Sequence, residues 1–127
     1  MAYDPGITFE GVHHVQLAIP PGGENECRRF WGALLGMEEL EKPAELAARG
    51  GCWFRSGALE IHLGVEAGFV AARKAHPAIV VNELTALADR LGAARAPVSW
   101  DDEFPGFHRF YSSDPFGNRL EFLQPEP

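Results

Sequence analysis

Apolar and polar side chains alternate through residues 12–19, so one face of an extended chain there is apolar and the other carries His14. A period of two predicts a β-strand, which the Pro-Pro-Gly-Gly run after it ends. Residues 24–35 instead follow a period near 3.6, which predicts an amphipathic helix. Gly36 is the expected left-handed cap of that helix.

The second half of the chain repeats this order of elements. Residues 76–81 are a predicted strand, Asn82 is the expected N-cap of the next helix, and Gly92 is its expected end. The Asp-Pro-Phe-Gly-Asn sequence from residue 114 predicts a tight turn, because Pro fixes φ and Gly and Asn tolerate positive φ. Further predicted strands cover residues 37–41, 52–55, 58–65, 97–100, 107–113 and 119–124, with one helical turn within 43–49.

Two similar strand-helix-strand-strand-strand units in a chain of 127 residues predict one α+β domain. We expect module one at about residues 11–65 and module two at about 76–124, within a single domain that spans 1–127. The two βαβββ modules should form a curved mixed sheet around a cleft, with the helices on the outer face.

Composition and charge argue against several classes of protein. With 46% hydrophobic and 23% charged residues, the chain is globular. Its net charge is −7 and its basic residues form no stripe, which argues against nucleic acid and anionic membranes as partners. We find no signal-peptide pattern in the first ten residues and no apolar run long enough for a membrane span. Cys27 and Cys52 give no disulfide framework, so we expect a cytoplasmic protein.

Strand parity places four metal-binding side chains on the sheet faces that the helices do not cover. His14 and His76 belong to the matching first strands of the two modules, while His62 and Glu121 each lie between two apolar residues of a later strand. If the modules close around one cleft, these groups converge. Imidazole and carboxylate ligands suit a divalent ion such as Zn, Ni, Mn, Fe or Co. The alternative is that each histidine is a hydrogen-bonded structural residue.

The His-Val-Gln-Leu-Ala stretch from residue 14 and the Asp-Pro-Phe-Gly-Asn-Arg-Leu-Glu segment from residue 114 resemble the vicinal oxygen chelate superfamily. That superfamily includes glyoxalase I, fosfomycin-modifying enzymes, extradiol dioxygenases, methylmalonyl-CoA epimerase and bleomycin-resistance proteins. The resemblance covers nearly the whole chain. It implies metal ligands on the first strand of each module and on the last strand, which by motif are His14, His76 and Glu121.

The resemblance also implies a fourth ligand on the strand that ends module one. The matching Ile-X-Leu pattern places His62 there, where glyoxalase I usually has a glutamate. Glu60 shares the cleft face and is the competing candidate. This departure argues against strict glyoxalase I identity.

Four further side chains are candidates for contact with a substrate. Gln16 shares the predicted ligand face and could bind substrate or satisfy a core hydrogen bond. Arg109 and Tyr111 could contact an anionic or oxygen-rich substrate, or pair with nearby carboxylates. Trp53 could line the cleft or pack in the core. The acidic run at 101–103 is expected to be a solvated loop.

The resemblance implies a metal-dependent enzyme of isomerase or lyase type that binds a small substrate through neighbouring oxygens. Glu121 or Glu60 would act as the base. The alternatives are a metal-free drug-binding protein similar to bleomycin-resistance proteins, a fosfomycin-type transferase and a dioxygenase. Because open sheet edges invite pairing with a second copy, we also expect a homodimer.

Overall fold

The computed structural model describes residues 6–127. The predicted start of the domain at residue 1 lies outside the described residues. So do residues 1–5 of the ten-residue stretch in which no signal-peptide pattern was found. Among the helices described, none has the length and apolar character needed to cross a bilayer.

Each module contains four strands, and module one carries an additional short helix. Module one consists of β1 (Val15–Ile19), α1 (Glu24–Cys27), a π-helical continuation (Arg28–Leu34), β2 (Glu38–Leu40), α2 (Ala44–Ala47), β3 (Cys52–Ser56) and β4 (Leu59–Val65). Module two consists of β5 (Ala78–Val80), α3 (Leu84–Ala93), β6 (Ser99–Asp101), β7 (Phe107–Ser113) and β8 (Arg119–Pro125).

The strands form two mixed four-stranded sheets. Their orders are β1-β4-β3-β2 and β5-β8-β7-β6, in which the first strand of each module pairs in parallel and the other neighbours are antiparallel. This confirms the predicted α+β fold of two βαβββ modules. Among the strands described, no ladder joins the two sheets, so β1 and β5 are each an open edge.

The same pairing register recurs in both modules. In module one Gln16 lies opposite His62, and in module two Ala78 lies opposite Glu121. Side chains opposite one another in a ladder share a sheet face. His62 and Glu121 therefore hold equivalent positions in the two modules, each on the central strand beside the open edge.

One core joins the two modules on the helical side of the sheets. It takes its largest buried side chains from both modules: Trp31, Phe54, Ile61, Leu91, Phe110, Leu120 and Phe122. Burial of a side chain of this kind stabilises a fold by about 1.5–3 kcal/mol. Cys27 and Cys52 are free thiols inside the same core.

The first helix differs from the expected regular α-helix. After Cys27 its hydrogen bonds widen, so that Leu35 N donates to Phe30 O over 2.9 Å and Met37 N donates to Trp31 O over 3.0 Å. The wider turns belong to the segment that buries Phe30 and Trp31. The chain then ends the helix at Gly36, whose φ of 77° confirms the predicted left-handed cap.

The predicted caps of the second helix are wrong at both ends. Glu83, and not Asn82, is the N-cap residue, and it makes no side-chain cap hydrogen bond. Gln124 of β8 takes that role, because its Oε1 accepts from Leu84 N over 3.2 Å and its Nε2 donates to the Asn82 carbonyl. The helix also continues past Gly92, and Arg95 supplies the left-handed residue with φ 63°.

The turn between β7 and β8 is a buried hydrogen-bonded clamp. Asp114 Oδ1 accepts from Phe116 N and from Asn118 N, each over 2.9 Å, and its Oδ2 accepts from Asn118 Nδ2 over 2.8 Å. Burial raises the pKa of Asp114, and these donors oppose that effect. Asn118 Nδ2 also donates to the Ala18 carbonyl of β1 over 2.8 Å, so the turn ties module two to module one.

Phe116 of this turn packs closely against the start of the first helix. A Cβ atom at Gly23 would lie 2.7 Å from the Phe116 ring, so only glycine allows the approach. The equivalent turn of module one is shorter, because Ser56 and Leu59 pair directly. The longer turn of module two therefore reaches module one, through Phe116 and Asn118.

Replacement of Asp114 tests the importance of the clamp. We expect Asp114→Ala to lower the free energy of unfolding by about 2–4 kcal/mol, because buried N–H donors lose their acceptor. Urea denaturation at neutral pH measures the change. Asp102→Ala removes an exposed carboxylate and should stay within about 0.5 kcal/mol of the parent chain. An equal effect of the two substitutions would contradict a structural role for the turn.

Candidate active site

Module one stacks three rings on the sheet face that the helices leave uncovered. His14 lies directly before β1, and its ring stacks on His62 with centroids 3.9 Å apart and planes inclined by 12°. His62 stacks in turn on Trp53, at 4.1 Å and 8°. His62 is the buried member, at 5% exposure. The stack holds the His62 ring in one orientation.

A carboxylate fixes the polar edge of this stack. His62 Nε2 and Glu60 Oε1 lie 3.0 Å apart, so the neutral His62 ring carries its proton on Nε2. Burial lowers the pKa of His62, although the hydrogen bond to Glu60 opposes the shift. The same hydrogen bond is the main cause of the lowered pKa of Glu60. Glu60 and His62 therefore form a neutral imidazole–carboxylate pair at neutral pH.

His14 has a second histidine as its neighbour. The Nδ1 atoms of His13 and His14 lie 2.9 Å apart, so one of them must donate a proton to the other. Both residues are exposed and lie immediately before the first residue of β1. The Nε2 atom of His14 has no hydrogen-bond partner among residues 6–127.

Module two has a charged cluster at the equivalent place. His76 lies two residues before Ala78, as His14 lies two residues before Gln16, and Glu121 corresponds to His62. His76 Nε2 lies 2.9 Å from Glu121 Oε1. The predicted first-strand histidine and last-strand carboxylate of this module are thus in contact.

The contacts of the two His76 ring nitrogens create a position for a cation between Nε2 and Glu121. Its Nδ1 lies 2.8 Å from the Lys74 carbonyl, which can only accept, so Nδ1 carries a proton. In the neutral ring Nε2 is then an acceptor that faces the Glu121 carboxylate, which also accepts. A proton or a metal ion must lie between two such groups. A histidine whose Nδ1–H binds a carbonyl has the tautomer that metal ligands use.

Arg109 neutralises the carboxylates of this cluster. Its Nη1 donates to Glu121 Oε2 over 3.2 Å and its Nε donates to Asp101 Oδ1 over 3.1 Å. Asp101 also accepts from Glu103 N over 2.9 Å, and this bond, with a contribution from Arg109, lowers the pKa of Asp101. Asp101 therefore belongs to the cluster, and the expectation of a solvated acidic loop is wrong for this residue.

Tyr111 corresponds to Trp53, since each lies opposite the central-strand residue of its module. Tyr111 meets the His76 ring edge to face at 5.5 Å. Arg119 lies over the same tyrosine at 4.3 Å from the ring centroid. Arg119 was not predicted as a site residue, although its position two residues before Glu121 gives it the same strand parity.

The four predicted ligands therefore form two pairs. His14 lies with His62, and His76 lies with Glu121. Within the part of the chain that the structure describes, no three side chains of His, Cys, Asp or Glu are arranged to hold one ion. The donor types of each pair suit a divalent metal, but a single chain as described does not assemble a complete metal site.

No protein-family model matches the chain, and no curated protein matches it. Several solved structures do match the chain. A protein of the glyoxalase family from Bacillus anthracis is 47% identical, with a TM-score of 0.91 over 94% of this chain and 98% of that chain. A glyoxalase/dioxygenase from Nostoc punctiforme is 22% identical, with a TM-score of 0.77 over 100% of this chain and 98% of that one. The fosfomycin resistance protein FosX from Listeria monocytogenes is 15% identical, with a TM-score of 0.74 over 94% and 96%. The last two show likeness of fold alone.

The buried His62 ring makes stability depend on pH. Its folded-state pKa lies below the ordinary value of 6.5, so in that range the unfolded chain binds more protons than the folded chain. We expect the free energy of unfolding to fall as the pH drops from about 7 to about 5.5. His62→Phe keeps a ring in the stack and should reduce this slope. Urea denaturation across the pH series measures both chains, and identical slopes would contradict the prediction.

Proposed function

The chain belongs to the glyoxalase family within the vicinal oxygen chelate superfamily, and on that basis we propose that it is a divalent-metal-dependent enzyme of isomerase or lyase type. Its substrate would be a small molecule that presents neighbouring oxygens. The observation that carries the proposal is the matched register of the two modules. Each module has one histidine shortly before its first strand, His14 or His76, and one donor on its central strand, His62 or Glu121, on the same sheet face.

The ligands in this proposal are His14, His76 and Glu121, with His62 or Glu60 as the fourth. The bond from His76 Nδ1 to a backbone carbonyl supports the assignment, since it leaves the Nε2 atom, beside Glu121 Oε1, as the one that would bind an ion. A bound divalent ion supplies a Lewis acid that stabilises negative charge on a substrate oxygen.

The remaining side chains act on the substrate and its proton. Glu121 Oε1 or Glu60 would take a proton from the substrate, and Arg109 would hold the Glu121 side chain in place by its hydrogen bond to Oε2. Trp53 and Tyr111 would flank the substrate from the two modules. His62 and Glu121 are buried, and burial strengthens the electrostatic interactions of these groups.

We further propose that the enzyme is a homodimer in which the two pairs of one site come from different copies. Two features support this: the pairs do not assemble within the described residues of one chain, and the edges of β1 and β5 are open. The buried cysteines are both free thiols, which fits the reducing cytoplasm that we propose as the location.

Metal analysis of untagged protein tests the metal assignment. We expect a stoichiometric divalent transition metal, and at least about a hundredfold loss of affinity in His76→Ala, since partners outside the ligand shell already cost about 10–100-fold. His108→Ala is the matched control, because it removes an exposed imidazole with no side-chain partner in the described range. Activity of the metal-loaded protein is screened on methylglyoxal–thiol adducts, fosfomycin and catechols.

The absence of bound metal would indicate a different function. Protein that binds no metal and shows equal behaviour of His76→Ala and His108→Ala contradicts the enzyme proposal. If such protein binds cationic drugs, it is a sequestration protein similar to bleomycin-resistance proteins, for which the net charge of −7 is suited.

Mixing two inactive variants tests the shared site. His14→Ala lacks a donor in module one, and Glu121→Ala lacks one in module two. If the pairs come from different copies, half of the dimers after mixing carry one intact site. Metal binding should then return to about a quarter of the parent value. No recovery in mixed samples that do exchange subunits would overturn the shared site.

A further inference from the structure

A cavity of about 160 Å³ lies on the open face of module one, next to the ring stack. Lys42 and Arg49 line it, and no carboxylate does. The chain as a whole has a net charge of −7. A concave site with two cations and no acidic side chain in such a chain favours an anionic ligand.

Lys42 is held at the wall of this cavity. Its Nζ donates to the Gly50 carbonyl and lies 5.9 Å from the centroid of the Trp53 ring. An ammonium group has three N–H donors, so others remain for a ligand. Glu24 lies near this loop, but its Oε2 accepts from Gly51 N over 3.0 Å and it forms no ion pair with Lys42. Lys42 attracts this carboxylate and helps to lower the pKa of Glu24, but no direct ion pair occupies the N–H groups of the lysine.

Arg49 provides the second positive charge. Across residues 6–127 its guanidinium has no hydrogen bond, ion pair or ring contact. A guanidinium offers two parallel N–H donors that match the two oxygens of a carboxylate. Arg49 is exposed, so its guanidinium is available to a ligand from solvent, whereas Arg28 and Arg109 are both occupied by carboxylates of the chain.

The other walls of the cavity are apolar or amide. Leu46 and the Trp53 ring supply the apolar surface. The Gln16 side chain lies against Gly64. A Cβ atom at position 64 would be only 2.6 Å from Gln16 Nε2, so the glycine makes room for the amide inside the cavity. Trp53 also stacks on His62 at 4.1 Å. The cavity and the ligand pair of module one therefore share a wall.

We propose that this cavity is a subsite for a small organic anion, a carboxylate with a flat or apolar body. Lys42 and Arg49 bind the carboxylate, and Trp53 and Leu46 pack against the body. The anion is the end of the substrate remote from the oxygens that react beside His62. This last assignment rests on the proposed function, whereas the anion site itself does not.

Benzoate and benzamide are the matched probes, since they share size and planarity and differ in charge. Isothermal titration of the parent chain with each probe, in the presence of a metal chelator, measures the site without any contribution from a bound metal. We expect benzoate to bind about tenfold or more tightly than benzamide. Benzoate should also shift the indole N–H resonance of Trp53, which Trp53→Phe identifies.

Arg49→Gln is the decisive variant, because the Arg49 side chain makes no contact that folding needs. It should weaken benzoate binding about tenfold and leave benzamide binding unchanged. Lys42→Met should do the same. Arg29→Met, which removes an exposed charge paired with Glu26 on the first helix, is the control and should bind benzoate like the parent chain.

Three results would overturn the subsite: equal affinity for the two probes, no benzoate binding at all, or equal loss in Arg49→Gln and Arg29→Met. Because the titrations exclude metal, each of these results leaves the metal proposal standing. Conversely, a chain that binds benzoate as expected but holds no metal keeps the anion site and loses the proposed enzyme.

Discussion

The position of the last strand depends on one buried carboxylate. Asp114 accepts the N–H groups of Phe116 and Asn118, which fixes the β7–β8 turn and hence the register that places Glu121 opposite Tyr111. Asn118 extends the same hydrogen-bond network to the Ala18 carbonyl, a residue 100 positions earlier in the chain. The turn that sets the candidate site in module two therefore also holds that module against β1. Loss of such a group is costly, because several buried donors would lose their partner together.

The two modules share a backbone register and differ in electrostatics. Module one presents stacked rings, and burial disfavours a charge on the central one, His62. Module two presents charged side chains, because Arg109 bridges Glu121 and Asp101. A site built from both modules would combine a wall of stacked rings with a wall of paired ions. Duplication supplies the geometry, and the substitutions at equivalent positions supply the division of chemical roles.

Local patterns predicted the faces of the strands well and the ends of the helices poorly. The parity that separates Glu121 from its apolar neighbours is a property of any extended chain, so it survives in the fold. The N-cap of the second helix depends on Gln124, which lies 40 residues beyond Leu84 in the chain and has no local signature. The position of Asp101 was mispredicted for a similar reason. Asp101 contacts Arg109 across the β6–β7 strand pair, and the acidic run at 101–103 alone predicted only a solvated loop.

The pattern of residues was enough to predict the order of elements, the two similar modules, the tight turn at residue 114 and the side chains that face away from the helices. These follow from backbone sterics and the pleat of a strand, which act between near neighbours. Tertiary structure alone decided that the four predicted ligands separate into two pairs, and that Lys42 and Arg49 meet beside Trp53. Those outcomes depend on how the modules pack and where α2 lies, and such distances are set by contacts between residues far apart in the chain.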